Sequence, residues 1–262
     1  MPIVYACISP HGGNMLLPQS GPTPLPQTRI AMHEMRRGFE AANPDTVAIL
    51  TPHGIVLRDS ISIGVTPMGA GELDNLSMTV QTDRDLASAW AYHAAEQGVP
   101  VTPLVMEDPA APLPLDWGVT IPLALLDPAQ KLPIAVACPS TGVSREHLIA
   151  WGDALVTASE DQRRRVALIV SADQGHGHAA DGRYGFAPES AQYDQAMVEA
   201  IQADDLSRLL TWDDAWIEAA LADSYWQTLS LLGVQRRVPL KAQFLSYEVD
   251  HYFGLLCASY TL

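Results

Sequence analysis

Cysteine is scarce in this 262-residue chain: Cys7, Cys138 and Cys257 are the only three, far apart and without a C-x-x-C pair. So sparse and odd a set gives neither a disulfide framework nor a structural zinc site. It fits a reducing compartment, so a cytoplasmic location is expected. Positive charge is also short. Fifteen Lys and Arg stand against thirty Asp and Glu, a net charge of −15 at pH 7, and the only lysines are Lys131 and Lys241. A surface that negative repels phosphate backbones and anionic headgroups, which argues against nucleic acid and membranes as partners. No apolar run nears the ~18 residues of a membrane span, and the amino terminus has no basic segment ahead of an apolar stretch. Neither lysine sits in a phosphate-binding loop, and there is no G-x-S-x-G nucleophile turn and no H-E-x-x-H helix.

The residues that are plentiful are core-forming: 48% of the chain is hydrophobic and only 17% charged, which excludes a disordered chain. Short apolar, β-branched runs at Ile3–Ile8, Thr46–Leu50, Ile61–Val65, Leu132–Cys138, Val166–Ser171 and Leu240–Val249 read as strands. Helical spacing intervenes at Ala31/Met35/Gly38/Ala42, at Leu86/Ala89/Trp90/His93, and over Ser144–Thr157, Ala191–Ile201 and Ala215–Leu232. Strands alternating with helices predict an α/β fold with a mixed, mainly parallel central sheet and helices on both faces. Two proline clusters, Pro18–Pro26 and Pro109–Pro122, read as loops or lids. Neither carries the charge run or Ser/Gly-rich composition of a linker, so residues 1–262 are expected to form a single domain.

The strongest local signal occurs twice. Ser9-Pro10-His11-Gly12 follows the first strand and Thr51-Pro52-His53-Gly54 the second. Ligands of open α/β sheets bind beyond the carboxyl ends of strands, so both histidines fall where a site is expected. Each proline holds the residue before it extended, and each glycine permits a sharp turn behind the histidine. A third strand runs out into Ser171-Ala172-Asp173-Gln174-Gly175-His176-Gly177-His178, and a fourth ends in Ser246-Tyr247-Glu248-Val249-Asp250-His251. Two imidazoles and one carboxylate suit a non-haem Fe(II) centre with vacant positions for substrate and O2; zinc takes similar ligands, so donor type alone does not choose the metal.

The order and wide spacing of these four pieces resemble the class III extradiol ring-cleavage dioxygenases, of the protocatechuate 4,5-dioxygenase catalytic-subunit type. The likeness runs from Ser9 to about Tyr260 and includes Arg183-Tyr184-Gly185-Phe186-Ala187-Pro188 leading into a helix with Tyr193-Asp194. It implies a single α/β domain with a mixed sheet. It implies His11 and His53 as imidazole ligands of Fe(II), Glu248 as the carboxylate ligand and His176 as the acid/base histidine. The expected activity is O2-dependent opening of a catechol-type or 2-aminophenol-type ring, with a homo-oligomer or a small partner subunit left open. Relatives of the Memo type share the fold and can replace the glutamate, so the presence of Glu248 favours an iron enzyme.

One departure bears on substrate. Where the family usually carries Asp-His-Gly before Pro-Leu, this chain has Asp116-Trp117-Gly118, followed by Pro122-Leu123. An indole ring donates through its N–H and accepts nothing, so Trp117 is either core or an apolar wall of the pocket, and protocatechuate need not be the substrate. Asp173, His178, Tyr247 and His251 are further candidates for the pocket or its support. Two other readings stay open: a Memo-like, non-redox binding module for a metal or peptide, and a zinc-dependent hydrolase on the same ligands.

Overall fold

The computed structural model describes residues 2–16 and 24–262; most of the Pro18–Pro26 cluster lies outside the described residues. In chain order the elements are β1 (Ile3–Ser9), α1 (Pro26–Ala42), β2 (Thr46–Leu50), β3 (Ile61–Gly64), β4 (Met68–Leu73), β5 (Leu76–Gln81), α2 (Arg84–Glu96), β6 (Val101–Leu104), β7 (Leu113–Pro114), α3 (Trp117–Leu126) and β8 (Ile134–Cys138). They continue with α4 (Arg145–Asp161), β9 (Val166–Ser171), α5 (Pro188–Gln202), α6 (Asp214–Ala219), α7 (Tyr225–Gln235), β10 (Lys241–Asp250) and β11 (Phe253–Thr261).

Eight strands form one sheet in the order β10-β11-β1-β9-β2-β8-β3-β6. The central four, β1, β9, β2 and β8, are mutually parallel, and their near-continuous apolar runs suit strands covered on both faces. Antiparallel β11 and β10 extend one side, and β3 joins β8 antiparallel on the other. The expected mixed, mainly parallel architecture is therefore found. Strand alternation divides the core cleanly. Ile3, Ala6 and Ile8 of β1, Ala48 and Leu50 of β2, and Leu168 and Val170 of β9 face α2, α4, α5 and α7. Tyr5 and Cys7, Val47 and Ile49, and Ala167 and Ile169 face α1, α3 and the small sheet β5-β4-β7.

Two differences from the sequence pattern matter. Residues 109–122 are not all loop: β7 and the first half of α3 lie there, with Pro122 inside the helix. The single helix expected over Ala215–Leu232 is two, α6 and α7, separated at Leu221, whose backbone is left-handed at φ 54°. Apolar periodicity continues across the break and hides it.

The helical layer beside α7 is close-packed. Trp90 of α2 stacks on Trp151 of α4 at 4.2 Å and donates its indole N–H to the Trp151 carbonyl at 2.8 Å. Where α4 crosses α7 the contact is glycine on backbone: a Cβ at Gly152 would run into the Ser230 carbonyl, and one at Gly233 into that of Ile149. Gly152→Ala should force these helices apart and cost about 1–3 kcal/mol, read as a lower urea midpoint with an unchanged m-value.

Candidate metal centre and active-site cavity

Three neighbouring parallel strands end at one edge. β1 and β9 run in register to Ser9 and Ser171, and β2 meets β9 through Leu50 and Val170. The segments beyond them carry His11, His53 and Asp173, so the sheet itself delivers these side chains to one place. His11 is 1% exposed. Its Nδ1 pairs with Ser171 Oγ at 2.9 Å, which turns Nε2 toward the cavity, and its amide donates to Asp173 Oδ1 at 2.9 Å. His53 Nε2 lies 3.0 Å from His11 Nε2, with the rings at 87°. Thr51 fixes the second loop by donating to Asp116 Oδ1 at 2.9 Å, and Asp116 also caps α3 through the Gly118 amide at 2.7 Å. The glycines of the two repeated tetrapeptides are not in left-handed turns. Gly12 is small because the Phe253 ring lies against it, 2.8 Å from where a Cβ would be.

The carboxylate that completes the cluster is Asp223, in the break between α6 and α7. Its Oδ2 is 3.4 Å from His11 Nε2 and 3.3 Å from His53 Nε2, while its Oδ1 accepts from the Asp173 amide at 2.9 Å. Oδ2 is buried and accepts no well-formed hydrogen bond among the described residues. Three lone-pair donors converging at 3.0–3.4 Å suit one divalent ion: ligand bonds of about 2.1 Å put neighbouring donors about 3.0 Å apart at right angles and about 3.4 Å apart at tetrahedral angles. The residues therefore fit a metal.

Glu248 does not join them, which corrects the expectation that it is the carboxylate ligand. It sits on β10, two strands away from β1, and its Oε2 accepts from the Thr28 amide at 2.6 Å and the Thr28 hydroxyl at 2.8 Å. That is a carboxylate on the first turn of α1, where unpaired amides and the helix dipole favour negative charge. The presence of Glu248 therefore says nothing about iron. Asp223 is missed by sequence pattern because it lies in what looks like the interior of a helix. The signal available was Asp223-Ser224 ahead of an apolar run, the residue types that start helices.

His176 lines the same cavity of about 250 Å³ as His11, His53, Asp173 and Trp117, together with Arg183, Tyr184, Tyr252 and Phe253. Its ring lies nearly parallel to Phe253 at 5.7 Å and edge-on to Tyr184 at 5.8 Å, and its buried Nδ1 has no partner among the described residues. Trp117 is not core: it stacks on His53 at 4.3 Å and remains 47% exposed at the mouth. Three candidates are not brought to the cavity. His178 Nε2 and the Tyr247 hydroxyl both turn to Asp194 Oδ2, at 2.8 and 2.6 Å, and Asp194 Oδ1 accepts from the Gly175 amide, so this cluster braces the His176 loop. His251, at the tip of the β10–β11 hairpin, pairs with Asp181 at 3.1 Å on the surface.

Burial alone would pull His11 down, but the carboxylates of Asp173 and Asp223 outweigh it and hold its pKa up at about 9. Despite burial, the charge on His11 and the approach of both imidazoles keep Asp223 well below the ordinary carboxylate range. Burial raises Asp173, and Asp223 adds to that against the pull of His11.

A family model described as the catalytic LigB subunit of aromatic ring-opening dioxygenase matches residues 5–252. Protein CA_C1420 of Clostridium acetobutylicum is 24% identical over 232 residues, covering 86% of this chain and 50% of that protein. The chain thus spans about half the length of that curated relative. The crystal structure of uncharacterized protein JW3007 from Escherichia coli K12 has the same fold, with a TM-score of 0.66 over 98% of this chain and 99% of that one, at 13% identity.

Two outcomes test the centre. Asp223→Asn should lower bound divalent metal to a small fraction of the wild-type content measured by mass spectrometry of dialysed protein. Glu248→Gln should keep the metal and lose about 1 kcal/mol of stability through the weakened contact with α1. The His11 pKa lies above its ordinary value, so in metal-free protein the stability it contributes is complete below about pH 6.5 and is lost as pH rises through about 9. Metal must displace that proton, so apparent affinity should rise about tenfold per pH unit from pH 7 toward 9 in a chelator competition.

Proposed function

Because the chain belongs to the LigB family of aromatic ring-opening dioxygenase catalytic subunits, we propose that it is a ferrous-iron extradiol dioxygenase acting on a small catechol-type or 2-aminophenol-type ring. The observation that carries this reading is the convergence of His11, His53 and Asp223 on one side of an aromatic-walled cavity that His176 also lines.

His11, His53 and Asp223 would hold the iron, one carboxylate and two imidazoles leaving positions for a chelating substrate and O2. When bound, iron supplies acidification of a bound hydroxyl and a path for electrons from the ring to O2. The remaining work falls to the chain. Ser171 keeps the His11 ring turned so that Nε2 is the ligating nitrogen, as an orienting partner of a metal-bound imidazole does. Trp117 fixes the plane of His53 by stacking and closes one side of the cavity with an apolar face. Phe253 and Tyr184 hold the His176 imidazole, which accepts the second hydroxyl proton and returns it as the ring opens. Both atoms of O2 enter the product, and the ring bond that breaks lies beside the two hydroxyls rather than between them. Trp117 cannot take a proton, so in this reading the acid/base work falls to His176, which lines the cavity with it. A cytoplasmic site of action is consistent with three buried free cysteines, and no helix among the described residues is long and apolar enough to cross a membrane.

Fe(II)-loaded protein, assayed for O2 uptake against catechols, gallate-type acids and 2-aminophenols, should consume O2 and form a yellow ring-opened product with at least one class. His176→Ala should retain iron and lose turnover by about 10²–10⁴-fold. Absence of uptake across the panel with one tightly held metal would transfer the chain to a non-redox role.

A further inference from the structure

The break between α6 and α7 faces two ways. From it Asp223 turns to the two histidines, and Ser224 to a buried network in which its hydroxyl meets Gln174 Oε1 at 2.9 Å and the Tyr193 hydroxyl at 2.8 Å. The residues on either side of that pair, Ala222 and Tyr225, line a second cavity of about 810 Å³, and the two cavities share no lining residue. Its remaining walls come from the turn before α4, the first turn of α4, α6 and the start of α7. Cavities of about 300–1,000 Å³ hold small organic ligands. Three charged residues line this one. Arg145 is committed: its guanidinium donates to the carbonyls of Leu210 and Trp212 at 3.1 and 2.7 Å, pairs with Asp214 and lies over the Tyr225 ring. Glu218, one turn after Asp214 on α6, is left over, and its carboxylate has no partner among the described residues. Leu148 and Ile217 supply apolar surface, and Trp226, only partly buried, adds an indole.

We propose that this second cavity binds an organic ammonium ion with an apolar body, and that its occupancy strengthens metal binding at His11, His53 and Asp223. An unpaired carboxylate and an indole are groups that hold such a cation against an apolar wall, and the net charge of −15 draws cations in at long range. The coupling follows from the chain between the two sites. Leu221 keeps a left-handed backbone at φ 54°, a conformation that costs a non-glycine residue free energy and persists only where the surroundings hold it. A ligand packed against Ala222 and Tyr225 adds to that hold from the side away from the metal. The break then presents Asp223 to the ion with less ordering left to do. Linkage makes the effect mutual, so metal tightens the ammonium by the same factor. Only the three-residue centre is required for this, whatever reaction it performs.

The test titrates phenethylammonium, its neutral analogue 2-phenylethanol and the anion 3-phenylpropionate into the full metal-free chain by calorimetry. Zinc affinity is then measured by chelator competition with and without each probe at saturation. The ammonium should bind at least about tenfold more tightly than either analogue. Glu218 is exposed on α6, so its variants should fold. Glu218→Gln should weaken the ammonium about three- to fivefold and leave phenylethanol within about twofold, and Glu218→Lys should reverse the order of ammonium and anion. Saturating ammonium should tighten zinc by about fivefold or more in the wild type and not in Glu218→Lys, and zinc should tighten the ammonium equally. No ammonium binding, an ammonium that binds no better than its analogues, or binding indifferent to both Glu218 variants overturns the site. Glu218-dependent ammonium binding that leaves zinc affinity unchanged, or weakens it, overturns the coupling. Oxygen uptake enters none of these readouts, so either failure leaves the dioxygenase reading where it stands.

Discussion

Asp173 ties together the segments on which the site depends. Its carboxylate accepts from the His11 amide and its own amide donates to Asp223 Oδ1, each at 2.9 Å, so one residue beyond β9 fixes the loop after β1 and the break between α6 and α7. It is 3% exposed. Buried hydrogen bonds of this kind are costly to leave unmade, which makes the cluster a rigid constellation rather than three loops that happen to be near one another. The price is electrostatic crowding, two carboxylates beside two imidazoles, and a divalent ion relieves it better than a shared proton.

Asp194 plays the corresponding part for the other half of the cavity. By accepting from the Gly175 amide, His178 and Tyr247, it joins α5 and β10 to the segment carrying His176. The close approach of Ser190 to Gly175 and Gly177 continues the same contact, since a Cβ at either glycine would meet that serine. The histidine next to the ring is thereby held by polar bonds on one side and by Phe253 and Tyr184 on the other. Glu248 acts elsewhere, at the first turn of α1, and stabilises the helix that covers the opposite face of the sheet. Glu248, which the family resemblance implied as the ligand, instead caps α1, and Asp223, to which the sequence reading gave no role, completes the cluster with His11 and His53.

The sequence by itself determined the parallel core, because strands buried on both faces of a sheet read as near-continuous apolar runs, and β1, β2, β8 and β9 do, apart from a terminal Ser or Thr in three of them. It determined where His11, His53, Asp173 and His176 stand, because each lies just beyond such a strand and the carboxyl edge of the sheet gathers the loops that leave it. It determined that Trp117 could not serve as a base. Tertiary structure alone decided the carboxylate. Asp223 reaches the histidines because the chain breaks at Leu221 and because the Asp173 amide draws its carboxylate in, and neither fact has a period or a spacing to betray it. Glu248 was decided the same way: its alternation along β10 says which face it takes, and only the packing of α1 says that Thr28 is its partner. The cavity walls from Arg183 to Phe253 likewise come from a loop and a hairpin tip that are apart in sequence. Strand interiors are written locally because burial is a local requirement; the partners of polar groups at strand ends depend on which distant segment arrives there.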